Sequence, residues 1–292
     1  MSNTIIVKGY KLEGKIDEIG LKTIYRALHL KSSKHVFMTV IPVRQGRSLT
    51  TLTTRACQSQ KLSLPTLVSA IDYGLVNGSE GQEYFYYTHK AQTTLPITRV
   101  LAEIQNEEQR QFTTIRFIIQ ALGILDYIHE AQTTHRDLTV SHLRVAGRGQ
   151  LILEGFVNAR APTESRSVAN IVHLPYLAPE QINGARADRK TDIYSMGVIL
   201  YELLTGALPY ASNYAKLEDA RLGAVPDPSK HKIDLPHELE MILMKALSGR
   251  PSRYSHVRQL ISDLECVYNR RSLWIKFKGI SSTIKQMFSH AI

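Results

Sequence analysis

At 292 residues with 43% hydrophobic content, the chain is long enough for one large or two smaller cores of an ordinary soluble protein. Its only cysteines, Cys57 and Cys266, exclude a disulfide framework or a cysteine zinc site and lead us to expect a reducing, cytoplasmic setting. MSNTIIVKGYKLEG lacks a signal-peptide core, no run of about 18 apolar residues is present to span a membrane, and the net charge of +10 is uneven: residues 269–292 hold +5 and no acid.

Residues 1–91 read as strands with one short helix. KHVFMTVI (34–41) is β-branched and apolar, bounded by a Ser-Ser pair and Pro42. VNGSEGQ (76–82) is full of turn formers and precedes EYFYYTH (83–89), an aromatic-rich run of strand type. From about residue 95 the period becomes helical. IRFIIQALGILDYIHEA (115–131) places apolar residues at helical spacing, and DIYSMGVILYELLTG (192–206) is apolar nearly all round until Gly206 stops it. LPHELEMILMKALSG (235–249) and SHVRQLISDLECVYN (255–269) read as amphipathic helices. There is no internal repeat.

The last segment carries Leu273, Phe277, Ile280, Ile284, Met287 and Ala291 at steps of 4, 3, 4, 3 and 4, a heptad seam with Lys278, Ser282 and Lys285 on the other face. Trp274 borders the seam and Gly279 weakens it. The spacing predicts a helix over 273–291 that must bury its seam, since an isolated helix of this length is marginal in water. Three destinations stay open: the body of the protein, an anionic membrane surface, or another helix.

HRDLTVSHLRV (135–145), PYLAPEQ (175–181), TDIYSMGVILYELLTG (191–206) and Arg253 in RPSRY stand in a characteristic order. Together they resemble the C-lobe of Hanks-type protein kinases, most of all the bacterial serine/threonine branch, and the resemblance covers about residues 10–268. In the N-terminal part, YKLEGKIDEIGLKTIYRA (10–27) is similar to the strand–glycine loop–strand hairpin and LPTLVSAIDYG (64–74) to the segment after the regulatory helix. The resemblance implies an α+β, bilobal protein kinase-like fold. Its parts are a small β-rich N-lobe (1–91), a larger helical C-lobe (92–268) and a basic amphipathic C-terminal helix (269–292). It also implies structural anchors: Glu180 paired with Arg253, and Asp192 holding the backbone of the catalytic loop.

Carried over position by position, the same resemblance implies that most phosphate-handling groups are replaced. Kinases place glycines where backbone amides approach the phosphates; here those positions are Asp17, Ile19 and Lys22, and Gly20 is out of phase. The strand lysine is Thr39 and its helix glutamate partner is Arg55. His135, Arg136 and Asp137 keep the HRD motif, but the lysine two residues beyond is Thr139 and the magnesium-binding asparagine is His142. The DFG motif becomes Glu154-Gly155-Phe156, and the activation-segment threonine becomes His173. A displaced carboxylate and an imidazole make a poor magnesium site.

The expectation is therefore a catalytically inactive pseudokinase. It is not an enzyme, has no cofactor and no metal, binds magnesium ATP weakly or not at all, and acts as a protein-interaction scaffold or allosteric regulator. One alternative is an atypical slow serine/threonine kinase or other nucleotide-dependent transferase in which Asp137 still takes a proton. Another is a membrane-surface adaptor, peripheral at the inner membrane face, working through Leu273, Phe277, Ile280, Ile284 and Met287 on lipid or a helix partner. A phosphorylation switch of Thr163, Ser165 or Ser167 against Arg136 is weighed against ordinary loop composition. A zinc or manganese site of His135, His142, His173 and Glu154 is weighed against ordinary hydrogen-bonded histidines. No nucleic-acid partner is expected.

Overall fold

A computed structural model describes residues 5–19, 22–43, 49–78, 81–158, 174–182, 184–210, 228 and 235–272. The chain divides into two compact units, Met1–Gln92 with Phe156–Ala169, and Thr93–Gly155 with Asn170–Ile292. Gly20, Thr163, Ser165, Ser167, His173 and the tail carrying Leu273, Phe277, Ile280, Ile284 and Met287 lie outside the described residues. Among the described residues, no helix is long and apolar enough to cross a membrane.

The first unit is an antiparallel sheet with the strand order β1-β2-β3-β5-β4. Its strands are β1 (Tyr10–Ile19), β2 (Lys22–His29), β3 (Lys34–Pro42), β4 (Asp72–Asn77) and β5 (Glu83–Lys90). Helix α1 (Leu49–Lys61) covers one face. There Leu52 and Ala56 pack with Ile41, Phe85, Tyr87 and Val157. On the other face Val7, Ala27, Val36, Met38 and Val40 form a second cluster, flanked by Tyr10, Tyr25, Tyr84 and Tyr86. β3 is the middle strand and both its faces are covered, which is why KHVFMTVI is apolar almost without alternation.

That burial extends to polar groups. Thr39 is 2% exposed, and its hydroxyl lies 3.4 Å from Nε2 of buried His89 on β5. Burial, opposed only by a hydrogen bond with the Lys90 backbone, lowers the His89 pKa from the ordinary 6.5 to about 4.

The second unit is mainly helical. It contains β6 (Thr94–Pro96), α2 (Ile97–Ala102), α3 (Glu107–Glu130), β7 (Leu143–Ala146), β8 (Gln150–Leu153), α4 (Pro179–Ile182), α5 (Arg189–Thr205), α6 (His237–Leu247) and α7 (Val257–Ser272). The three short strands pair antiparallel in the order β6-β7-β8. Asn106 caps α3 by accepting from the Gln109 amide at 2.8 Å, and Glu107 and Glu108 suit its positive first turn. Asp188 and Thr191 form a capping box at the start of α5. Gly206 ends it at φ 75°, a left-handed turn favouring glycine, and donates to Glu202 O. α5 is buried between α3 and α6, while α7 packs along α3 with Phe112 and Tyr268 stacked at 4.2 Å.

Arg253 ties this unit together. Its side chain is 0% exposed, and its guanidinium donates to Glu180 at 2.6 and 3.3 Å and to the carbonyls of Lys190 and Ser248. Every direction of the fork finds an acceptor, so the buried cation is tolerated.

Two outcomes follow from these buried polar groups. Glu180→Ala leaves the Arg253 charge without its counter-ion at a cost of about 3 kcal/mol, and calorimetry should show a Tm lowered by about 6–12 °C; an unchanged Tm would show that the pair does not hold the unit. The folded state binds fewer protons at His89 than the unfolded chain between pH 6.5 and about 4. Its stabilisation is therefore complete above pH 6.5 and is lost as the pH falls towards 4. Denaturant titrations should show His89→Gln flattening the acid side of the stability profile, whatever its midpoint at neutral pH.

Candidate functional site

In the second unit, residues 135–142 form a loop held from below by one carboxylate. Asp192, 1% exposed at the start of α5, accepts the backbone N–H of His135 at 2.7 Å and of Arg136 at 2.8 Å, and Nε2–H of His129 at 2.8 Å. Burial alone would raise the Asp192 pKa; the His129 hydrogen bond and the surrounding donors outweigh it and hold the pKa below the ordinary carboxylate value. With its amide fixed there, Arg136 adopts φ 73°, a strained backbone for a residue with a side chain. Its Nε donates to Thr134 Oγ1 at 2.9 Å.

That turn sets the neighbours. His135 is fully buried, with Nε2 2.9 Å from the Glu154 carbonyl. Leu138 anchors the loop in the core, and the half-buried Asp137 lies between these two fixed residues, its amide donating to His135 Nδ1 at 3.4 Å.

Thr139 and His142, which the resemblance sets at the positions of the lysine and the asparagine, bond to each other: Thr139 Oγ1 lies 3.2 Å from His142 Nδ1. The His142 carbonyl accepts the Glu154 amide at 2.9 Å. The imidazole lies so close over Gly155 that a Cβ there would stand 2.7 Å from it, and Gly155 has φ 90°. Glycine is thus required at 155 by contact and by backbone. The Glu154 carboxylate faces Arg144, 3.9 Å from its Nε.

In the first unit, the positions aligned with the glycine loop lie on a ladder. Asp17 pairs with Ile24 and Ile19 with Lys22, so β1 and β2 continue as strands to that point, with a bulge between Lys15 and Asp17. Thr39 shares its bond with His89 as described above. Arg55, 2% exposed in α1, donates from Nε to the Phe156 carbonyl at 2.9 Å, and its guanidinium carbon lies 3.8 Å from the Phe156 ring centroid. Arg55 is therefore the clamp on Phe156. His89 and Phe156 were missed as partners of the substituted positions. The signals were a histidine closing an aromatic strand and a Phe-Gly transposition.

His142 and Glu154, which the resemblance places at the two magnesium positions, do not fit that ion. Magnesium takes near-octahedral oxygen ligands, whereas His142 is committed to Thr139 and Gly155 and Glu154 faces a cation. Among the described residues no cluster of three or more metal-ligating side chains stands together.

The protein kinase domain family matches residues 20–271. A probable serine/threonine-protein kinase of Clostridium acetobutylicum is 26% identical over 282 residues, covering 92% of this chain and 41% of its own. The tyrosine-protein kinase MasK of Myxococcus xanthus is 31% identical over 221 residues, covering 70% of this chain and 33% of its own. The chain thus spans about two fifths and one third of these relatives. The PknI kinase domain of Mycobacterium tuberculosis superimposes with a TM-score of 0.70 at 17% identity, covering 93% of this chain and 99% of that one, and shares its fold of a β-sheet N-lobe and a helical C-lobe. These relatives overturn the expectation that the chain is not an enzyme: proteins 26% and 31% identical to it are named as kinases. The physical reason for the error is that replaced charge-neutralising groups were read as loss of all activity, although His135, Arg136 and Asp137 remain on a loop fixed by Asp192. The chain belongs to the protein kinase domain family.

Proposed function

We propose that the protein is an atypical, slow serine/threonine kinase. It transfers the terminal phosphoryl group of a nucleoside triphosphate to a hydroxyl. The hydroxyl oxygen bonds to phosphorus as the bond to the nucleoside diphosphate breaks, and Asp137 accepts the hydroxyl proton. The observation that carries this reading is the catalytic loop, pinned by Asp192 at 2.7 and 2.8 Å so that Asp137 follows a strained Arg136. The kinase names of its relatives support the reaction class.

A regulatory role exercised through contact is compatible with turnover, and one observation favours it. On the edge strand β4 and just before it, Leu75 is 44% exposed and Ile71 57% exposed, on the face that also carries Tyr73.

The deciding measurement is incorporation of radiolabelled phosphate from ATP into the chain and into hydroxyl-bearing peptides. Asp137→Asn should lower it by about 10²-fold or more, the usual contribution of a general base. Incorporation equal in wild type and Asp137→Asn would overturn the proposal.

A further inference from the structure

On the second unit, α6 and α7 leave an open groove of about 750 Å³. Its floor is apolar: Met241, Ile242 and Met244 from α6, and Cys266 and Val267 from α7. Met241 is 57% exposed and Cys266 is exposed. The lining positions 263, 266, 267 and 270 of α7 follow a helical face, as do 238, 241, 242 and 245 of α6. Two helical faces flanking an apolar trough are the receptor half of helix-in-groove binding.

We infer that this groove is the seat of the chain's own C-terminal segment, docked through the seam of Phe277, Ile280, Ile284 and Met287. Three observations single out that occupant. The groove is lined up to Arg270, and the tail leaves α7 at Ser272, so the seam is tethered at the groove's edge. Tethering gives an effective concentration of about millimolar, which a second copy or a free partner does not reach. The lengths also agree. The 11 residues of α6 make a wall about 16 Å long, and the ten-residue step from Phe277 to Met287 spans about 15 Å as a helix. The four residues 273–276 that separate α7 from Phe277 are as many as a helix–helix connection needs. Finally, the charges of the lining cancel: Glu238 lies 3.5 Å from Arg270 and Asp263 lies 3.7 Å from Lys245. The groove therefore selects by apolar fit rather than by charge, which is what the seam offers. The inference does not depend on the catalytic reading.

Cys266 provides the test, because a docked seam covers it. In the full-length protein, alkylation by N-ethylmaleimide is followed separately at each cysteine by mass spectrometry, with Cys57 in α1 as the internal reference for an intact fold. Cys266 should react roughly tenfold more slowly in the wild type than in Phe277→Asp/Ile284→Asp, the protection expected if the tail is docked about nine tenths of the time. Met241→Lys, at an exposed position, should release the same protection from the groove side. Equal Cys266 rates in all three proteins would overturn the inference. Protection that grows with protein concentration would assign the groove to a second copy and overturn it too. A third contrary result is binding to phosphatidylcholine–phosphatidylserine vesicles that requires the seam while the Cys266 rate is the same in every variant; it would place the tail on lipid.

Discussion

The catalytic loop depends on a single buried carboxylate. Asp192 accepts two backbone amides and a histidine N–H, all within 2.8 Å, at 1% exposure. A buried carboxylate without such donors would take up a proton or destabilise its surroundings. Here the donors are the loop itself, so loop geometry and carboxylate ionisation are one equilibrium. The depressed pKa of Asp192 means that this coupling is intact at neutral pH and is lost only as the pH falls through that lowered value. Arg136 at φ 73° is the cost absorbed by that arrangement, and His135, Asp137 and Leu138 take their positions from it.

The substituted positions follow a common pattern within each unit. Thr39 faces His89, Arg55 clamps Phe156, and Thr139 holds His142. In each case a residue that the kinase resemblance marks as replaced is bonded to a partner within its own unit. A hydrogen bond of this kind contributes about 0.5–1.5 kcal/mol, and a desolvated cation–π contact up to about 2 kcal/mol. More important is what their absence would do, since Arg55 and His142 are buried and each would be costly without a partner.

Much of the architecture was legible because its signals are local. DIYSMGVILYELLTG reads as a buried helix, and α5 lies between two other helices. KHVFMTVI reads as a strand because β3 is covered on both faces. Boundaries were less legible. VNGSEGQ reads as a loop, yet Val76 and Asn77 extend β4 by pairing with Tyr84 and Glu83 across the sheet. The hairpin resembles a strand–glycine loop–strand, and Asp17 and Ile19 remain paired with β2 after a bulge shifts the register. The roles of the replaced residues were not legible at all, because the contacts that define them are distant in sequence. Arg55 and Phe156 are separated by 101 positions and Thr39 and His89 by 50. A side chain read alone looks like a loss; its bonding partner shows what it now does.

The same pattern bears on rate. Loss of one preorganised electrostatic group typically slows a reaction about 10²–10³-fold, and several such groups differ here, at Thr39, Thr139 and His142. Their effects overlap, because groups that act as a unit lose little more together than singly. In the proposed reaction the remaining contributions are positioning and Asp137 as proton acceptor, each substantial by itself. For the proposed activity the balance falls on slow turnover. In that reading the loop held by Asp192 supplies positioning, and the charge neutralisation that accompanies it in phosphoryl transfer is the weaker part.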